Sequence, residues 1–138
     1  MRAYKSKYTL LSGSSYDEVI AIAGREYKKI EKLTKRQPYV RCTYFNKDKI
    51  FMYPFWGHLM QKNRKDRSIR LKFYKAAIDL LRNTCFEPET IFDKKDLSCL
   101  LHRFYGVTKD GKAFCVQVKQ NKRSGRKDFI SVFDRKLP

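Results

Sequence analysis

Apolar residues change their spacing along this chain, and each change marks an element. In SGSSYDEVIAIAGREYKKIEKLTKRQP, Val19, Ile22 or Ala23, Tyr27, Ile30 and Leu33 recur every three or four positions, with the lysines on the opposite face. That period belongs to an α-helix with one buried side. Ser14 or Ser15 can cap its first amides, Asp17 and Glu18 suit the positive end of its dipole, and Pro38 stops it. Two short extended runs, 39–45 and 49–54, flank the polar turn NKDK and predict a hairpin. Ile69, Phe73, Ala76 or Ala77 and Leu80 form a second helical stripe, predicting a helix over 68–82. Residues 55–63 either continue that helix or form a separate turn, because the intervening NRKDR is wholly polar. FEPETIFDKKD, broken by Pro88, reads as a loop.

In the last forty or so residues the period falls to two. LLHRFYGV, AFCVQVKQ and DFISVF read as three antiparallel strands, joined at Asp110-Gly111 and through the basic loop NKRSGRK. Phe114, Val116 and Val118 share one face, and Cys115, Gln117 and Lys119 the other. In the final strand the alternation turns Ile130 and Val132 inward, and Phe129, Ser131 and Phe133 outward. The expected class is α+β: N-terminal helices packed against an antiparallel sheet that ends in a three-stranded meander. One domain spans 1–138, with 1–38 a strand and helix extension on a core of about 39–133.

Charge changes the picture more than composition does. Ten Phe and nine Tyr provide for a packed core, yet 32 Lys and Arg against 14 Asp and Glu leave a net charge of +18. Repulsion on that scale opposes compaction and favours a polyanionic partner, nucleic acid ahead of an anionic membrane. No apolar run approaches the roughly 20 residues of a spanning helix. MRAYKSKYTLLSGSSYDE lacks a continuous apolar stretch, so no signal peptide is expected. Cys42, Cys85, Cys99 and Cys115 include no CxxC pair, which favours a reduced, cytoplasmic chain over a disulfide framework. Cys99-Leu-Leu-His102 has no second ligand pair beside it, so neither a metal nor a cofactor is expected.

Candidate chemistry concentrates in PFWGHLMQKNRKDRSIRLKFYKAAIDLL, where His58 follows an aromatic pair and precedes Arg64, Lys65, Arg67 and Arg70. An imidazole exchanges protons near pH ~6.5. Cleavage of RNA through its 2′-hydroxyl needs a base, an acid and cations around phosphorus, which residues of these kinds supply. On the sheet's outer face, Phe129 and Phe133 flank Ser131 beside Gln117 and Lys119, a pattern suited to stacking bases while cations hold phosphates. The competing reading covers both phenylalanines with a second apolar layer. His102 has the opposite strand parity from Arg103 and reads as a core or edge histidine, and Glu87 and Glu89 read as solvated loop residues.

The order of these parts is an aromatic-His-Leu helix, basic residues beyond it, an Ile-Asp-Leu-Leu helix, a Pro-containing loop and a meander ending in FISVF. Over about 39–133 it resembles the phage-associated barnase–EndoU–colicin–RelE-like (BECR-fold) nucleases. The resemblance implies a metal-independent endoribonuclease, toxin-like and associated with phage or mobile elements. Its partners would be RNA, whether tRNA or ribosome-bound mRNA, and an acidic inhibitor protein. His58 matches the helix histidine and Ser131 the Ser/Thr of the last strand, while Arg67, Arg70, Arg103 and Lys119 match basic positions. The barnase pattern's glutamate on the sheet has no counterpart, which leaves the general base open. The implied catalytic set is His58, Arg70, Lys119 and Ser131. Arg64, Lys65, Arg67 and Arg103 would contact nucleic acid, with Lys122, Arg123 and Arg126 of the basic loop and the phenylalanines Phe129 and Phe133. A non-catalytic RNA- or DNA-binding module needs only the charge and the aromatics, and a nucleic-acid-packaging structural protein needs little more. Only a residue that performs chemistry separates these classes.

Overall fold

The computed structural model describes residues 2–135. Tyr4–Lys5 form a short strand, β1, anchored by the buried carboxylate of Asp79, which accepts from the Tyr4 hydroxyl, the Ser6 hydroxyl and the Lys7 amide. Helix α1 (Tyr16–Leu33) follows the first stripe. Ser15 is its cap, accepting from the Glu18 amide, and Val19, Ala23 and Ile30 are its buried face. The predicted hairpin forms β2 (Tyr39–Cys42) and β3 (Asp48–Phe51), with Asn46 and Lys47 at positive φ in its turn.

Two helices precede the second stripe's main helix. Pro54 opens α2 (Pro54–Met60), where its missing amide costs nothing, and Phe55 and Leu59 are buried. The polar NRKDR then starts a new helix, α3 (Arg64–Leu71), because the Asn63 side chain caps it by accepting from the Asp66 amide. The single helix expected over 68–82 is broken at Lys72–Phe73, and α4 (Tyr74–Asn83) follows. Its apolar residues are too widely distributed for one stripe: Leu71, Phe73 and Tyr74 are all buried, whereas Ile69 is left 40% exposed. The break lets α3 pack on α1 and the sheet while α4 enters the core.

Part of FEPETIFDKKD is a strand rather than a loop. Pro88 stands just ahead of β4 (Glu89–Phe92), where it removes no ladder hydrogen bond. Strands β5 (Cys99–Val107), β6 (Ala113–Asn121) and β7 (Lys127–Asp134) pair antiparallel in succession. The sheet as a whole is mixed rather than antiparallel: β1 runs parallel to β5, and β3 parallel to β7. Its order is β1-β5-β6-β7-β3-β2, with β4 also pairing β5. The core lies between the helices and one face of this sheet, around Tyr74, Phe55, Phe104, Phe114 and Phe129.

Gly106 allows α4 to approach β5 closely. A Cβ there would lie 2.6 Å from the Phe114 ring and 2.8 Å from a Leu80 methyl. Gly106→Ala is expected to cost about 1–3 kcal/mol through overpacking, read as a lower melting temperature.

A bulge in β7 changes which residues face the core. Gln117 stands opposite Ser131 and Val118 opposite Phe129, so Ile130 is the extra residue. The expected alternation therefore reverses before the bulge: Phe129 points inward with Val118, while Val132 stays inward with Val116. Among the described residues, no helix is long and apolar enough to cross a membrane. All four cysteines are free, with Cys85 exposed and the others buried.

Candidate functional site

Strand β3 ends at Phe51, opposite Asp128, so the rest of β7 has no strand on that side. Helix α2 takes its place against β7. This puts His58, in the last turn of α2, at the lip of the sheet's outer face. An open cleft of about 700 Å³ forms there. Arg103, Gln117, Lys119, Ile130 and Ser131 line it from β5, β6 and β7. His58 and Lys62 border one side, and Asp93, Lys94 and Lys95 of the segment after β4 the other.

His58 is exposed overall, but partial desolvation lowers its pKa below 6.5, and the charges of Lys119 and Lys62 lower it further against the opposing pull of Asp128. At neutral pH the imidazole is uncharged and able to accept a proton. Lys119 is clamped, its ammonium 3.5 Å from Asp93 and 3.4 Å from Asp96. Burial acts to lower its pKa, but the hydrogen bond to Asp96 and the surrounding negative groups more than offset this and the net shift is upward. Lys119 is thus a fixed cation and a poor proton donor. Asp96 is held down to about 2, first by the Ser98 hydroxyl and then by the Cys99 thiol.

Glu89, Arg103, Gln117 and Ser131 form one polar rank, each opposite the next across β4 to β7. Arg103 donates to the Gln117 side-chain oxygen at 3.1 Å. Arg70, from α3, donates to the Ser131 hydroxyl at 2.7 Å and pairs with Asp66 at 3.1 Å. Because the guanidinium occupies a Ser131 lone pair, the serine's own proton is free to donate to a bound group. Arg70 does not itself line the cleft and meets it through the Ser131 hydroxyl.

The basic cluster of 64–70 does not act as one surface. Arg67 donates to the carbonyls of Met60 and Lys62 at 2.7 and 2.8 Å, capping the end of α2. Arg64 pairs with Asp17 at 3.0 Å and lies over Tyr16, while Lys65 is exposed. In the basic loop, Arg126 covers the Phe51 ring at 4.1 Å and binds Asp128, Gln37 and the Tyr53 hydroxyl. Lys122 donates to the Leu97 carbonyl, and Arg123 is exposed.

Phe129 is not a base-stacking surface: it is fully buried, stacked on Phe55 at 4.7 Å. Ile130 is buried, as expected, but lies outside the main core cluster and lines the cleft. Phe133 does face outward, under the Arg70 guanidinium. His102 is a buried histidine whose two ring nitrogens meet Thr90 and Gln120 at 2.8 and 2.7 Å. Cys99 lies three residues before it on the same strand, so the two side chains point to opposite faces.

Three acidic residues stand beside cations of the cleft without a motif in the sequence to mark them. Glu89, expected in a solvated loop, is a half-buried strand residue opposite Arg103, and Asp93 and Asp96 hold Lys119. The β-branched and aromatic run Thr90-Ile91-Phe92 after Pro88 is a strand signal that would bring Glu89 into the sheet. Comparison with known proteins finds no matching family model, no similar curated protein and no similar solved structure.

Proposed function

We propose that this protein binds RNA in the cleft between α2 and the outer face of β5–β7, and cleaves it without a metal ion. The supporting observation is the convergence on one cleft of an uncharged imidazole, the cations Lys119, Arg103 and Lys62, and a hydroxyl polarised by Arg70. A phosphodiester lying over the Ser131–Gln117–Arg103 rank has hydrogen-bond donors and positive charge beside its non-bridging oxygens. His58 takes the proton of the 2′-hydroxyl, and the 2′-oxygen attacks phosphorus. The bond to the 5′-oxygen breaks, and that oxygen recovers a proton from the imidazolium through water. The products are a 2′,3′-cyclic phosphate and a 5′-hydroxyl. The resemblance of the sequence pattern to the barnase-like nucleases suggests a toxin-like, phage- or mobile-element-associated role in the cytoplasm, countered by an acidic inhibitor.

A non-catalytic RNA- or DNA-binding module is the second reading. It is favoured by the Asp93–Lys119–Asp96 clamp, which makes Lys119 a weak acid, and by the burial of His102 away from the cleft, which leaves His58 without a second histidine beside it. Incubating the chain with mixed RNA in excess chelator separates the two. Cleavage should persist and yield 2′,3′-cyclic phosphate ends, and a 2′-deoxy strand should bind but stay intact. Cleavage restored only by a divalent ion would overturn the mechanism, and binding without cleavage would establish the module.

A further inference from the structure

The sheet's outer face does not stop at the cleft. Lys119 stands opposite Asp128, Asp128 opposite Phe51, and Phe51 opposite Tyr39 at the sheet's edge. Three strand steps of about 4.8 Å carry this rank roughly 14 Å from Lys119 to Tyr39. Val40, Cys42 and Ile50 of the hairpin point into the core, so Tyr39, Arg41, Lys49 and Phe51 make up its outer side. With Arg36 and Gln37, three of them (Tyr39, Lys49 and Phe51) line a hollow of about 520 Å³.

Cations cover the rings here. The Lys49 ammonium is 4.7 Å and the Arg41 guanidinium 5.5 Å from the centre of Tyr39, and Arg126 is 4.1 Å from that of Phe51. Arg41 also donates to the Lys47 carbonyl. Asp128 is taken by Arg126, and Asp48 by Lys127. Among the described residues, Arg36, Arg41 and Lys49 enter no ion pair. The cleft's Lys119 is neutralised from within, whereas these cations are not.

Exposed cation–ring contacts are weak and exchange readily for phosphate. A ligand that satisfies this face must offer anions to Arg36, Arg41 and Lys49 and a planar group to the Tyr39 ring that Arg41 and Lys49 uncover. A single strand does both, because its bases are free to stack on aromatic and guanidinium planes. A duplex keeps its bases stacked inside. We infer that the outer face of the β2–β3 hairpin is a second binding surface for single-stranded nucleic acid, holding the part of the strand that runs out of the His58 cleft. The inference rests on the reading that the cleft takes RNA.

The test measures affinity for a long single-stranded 2′-deoxy oligonucleotide, a dinucleotide that fills the cleft alone, and a duplex, so that cleavage does not interfere. Tyr39→Ala should weaken the long strand about 5- to 150-fold, the effect of losing one stacked base, and leave the dinucleotide and duplex unchanged. Tyr39→Phe should bind like the wild type. Arg41→Gln with Lys49→Gln, both at exposed positions, should flatten the log–log salt slope for the single strand by about 1.4. Unchanged long-strand affinity in Tyr39→Ala together with an unchanged slope in the charge variant would overturn the surface. Equal losses on single strand, duplex and thermal stability would overturn it too, by assigning Tyr39 to the scaffold. A wild-type chain that binds no strand removes both this surface and the RNA reading. Selective loss in Tyr39→Ala by a chain that cleaves nothing keeps the surface and removes only the nuclease.

Discussion

His58→Ala is expected to slow RNA cleavage by about 10²–10⁴-fold, the usual contribution of one general acid or base, while RNA affinity and melting temperature hold. The imidazole is at the lip of the cleft and uncharged, so it contributes little to phosphate binding beside Lys62, Lys119 and Arg103. The pH dependence carries a second signature. A general base must be deprotonated, so single-turnover rate should fall as pH drops through the folded-state pKa. Desolvation first, then Lys119 and Lys62, place that value below 6.5, and the acidic limb should inflect there. Lys62→Gln removes one of the charges that lower it and should move the limb upward. Cleavage per folded molecule that survives His58→Ala would return the histidine to a packing role, with a melting loss in line with about 1 kcal/mol. Parallel loss of affinity and rate would make it a binding residue.

The elements most legible in the sequence are those whose signals are local. The α1 stripe carries its cap at Ser15, and the meander carries its turn at Asp110-Gly111, so neither needed knowledge of distant partners. The parallel pairings of β1 and β3 depend on contacts about a hundred and about eighty residues apart, and a two-residue strand leaves no period to read. Within the site, His58, Lys119 and Ser131 were identifiable as chemical types, and the structure brings all three to one cleft. The roles of the arginines were not legible. Arg67 serves the carbonyls at the end of α2, and Arg126 ties β3 to β7 over Phe51, uses that look identical to phosphate binding when only charge is counted. The β7 bulge had the largest consequence, because one extra residue exchanges the two faces of a strand for every position before it.

Phe129 tests that exchange directly. Read from alternation alone it stacks RNA bases, and its removal would lower affinity without touching the fold. In the folded chain it lies nearly parallel to Phe55, 5° between ring planes, with Tyr74 at 6.3 Å and no exposure to solvent. Phe129→Ala therefore removes a ring from the centre of the core and leaves a cavity between α2 and the sheet. The expected cost is about 3–5 kcal/mol, a large part of the roughly 5–15 kcal/mol that holds a typical domain together. Denaturant midpoints should fall accordingly, and any molecules that remain folded should bind RNA as the wild type does. Phe129→Leu should recover much of the midpoint, because it refills part of the volume without restoring a planar surface. Phe133, outward and beneath Arg70, should behave in the opposite sense, with a small change in midpoint on truncation to alanine. A Phe129→Ala chain with an unshifted midpoint and weakened RNA binding would place the ring on the outer face and remove the bulge from the account of β7.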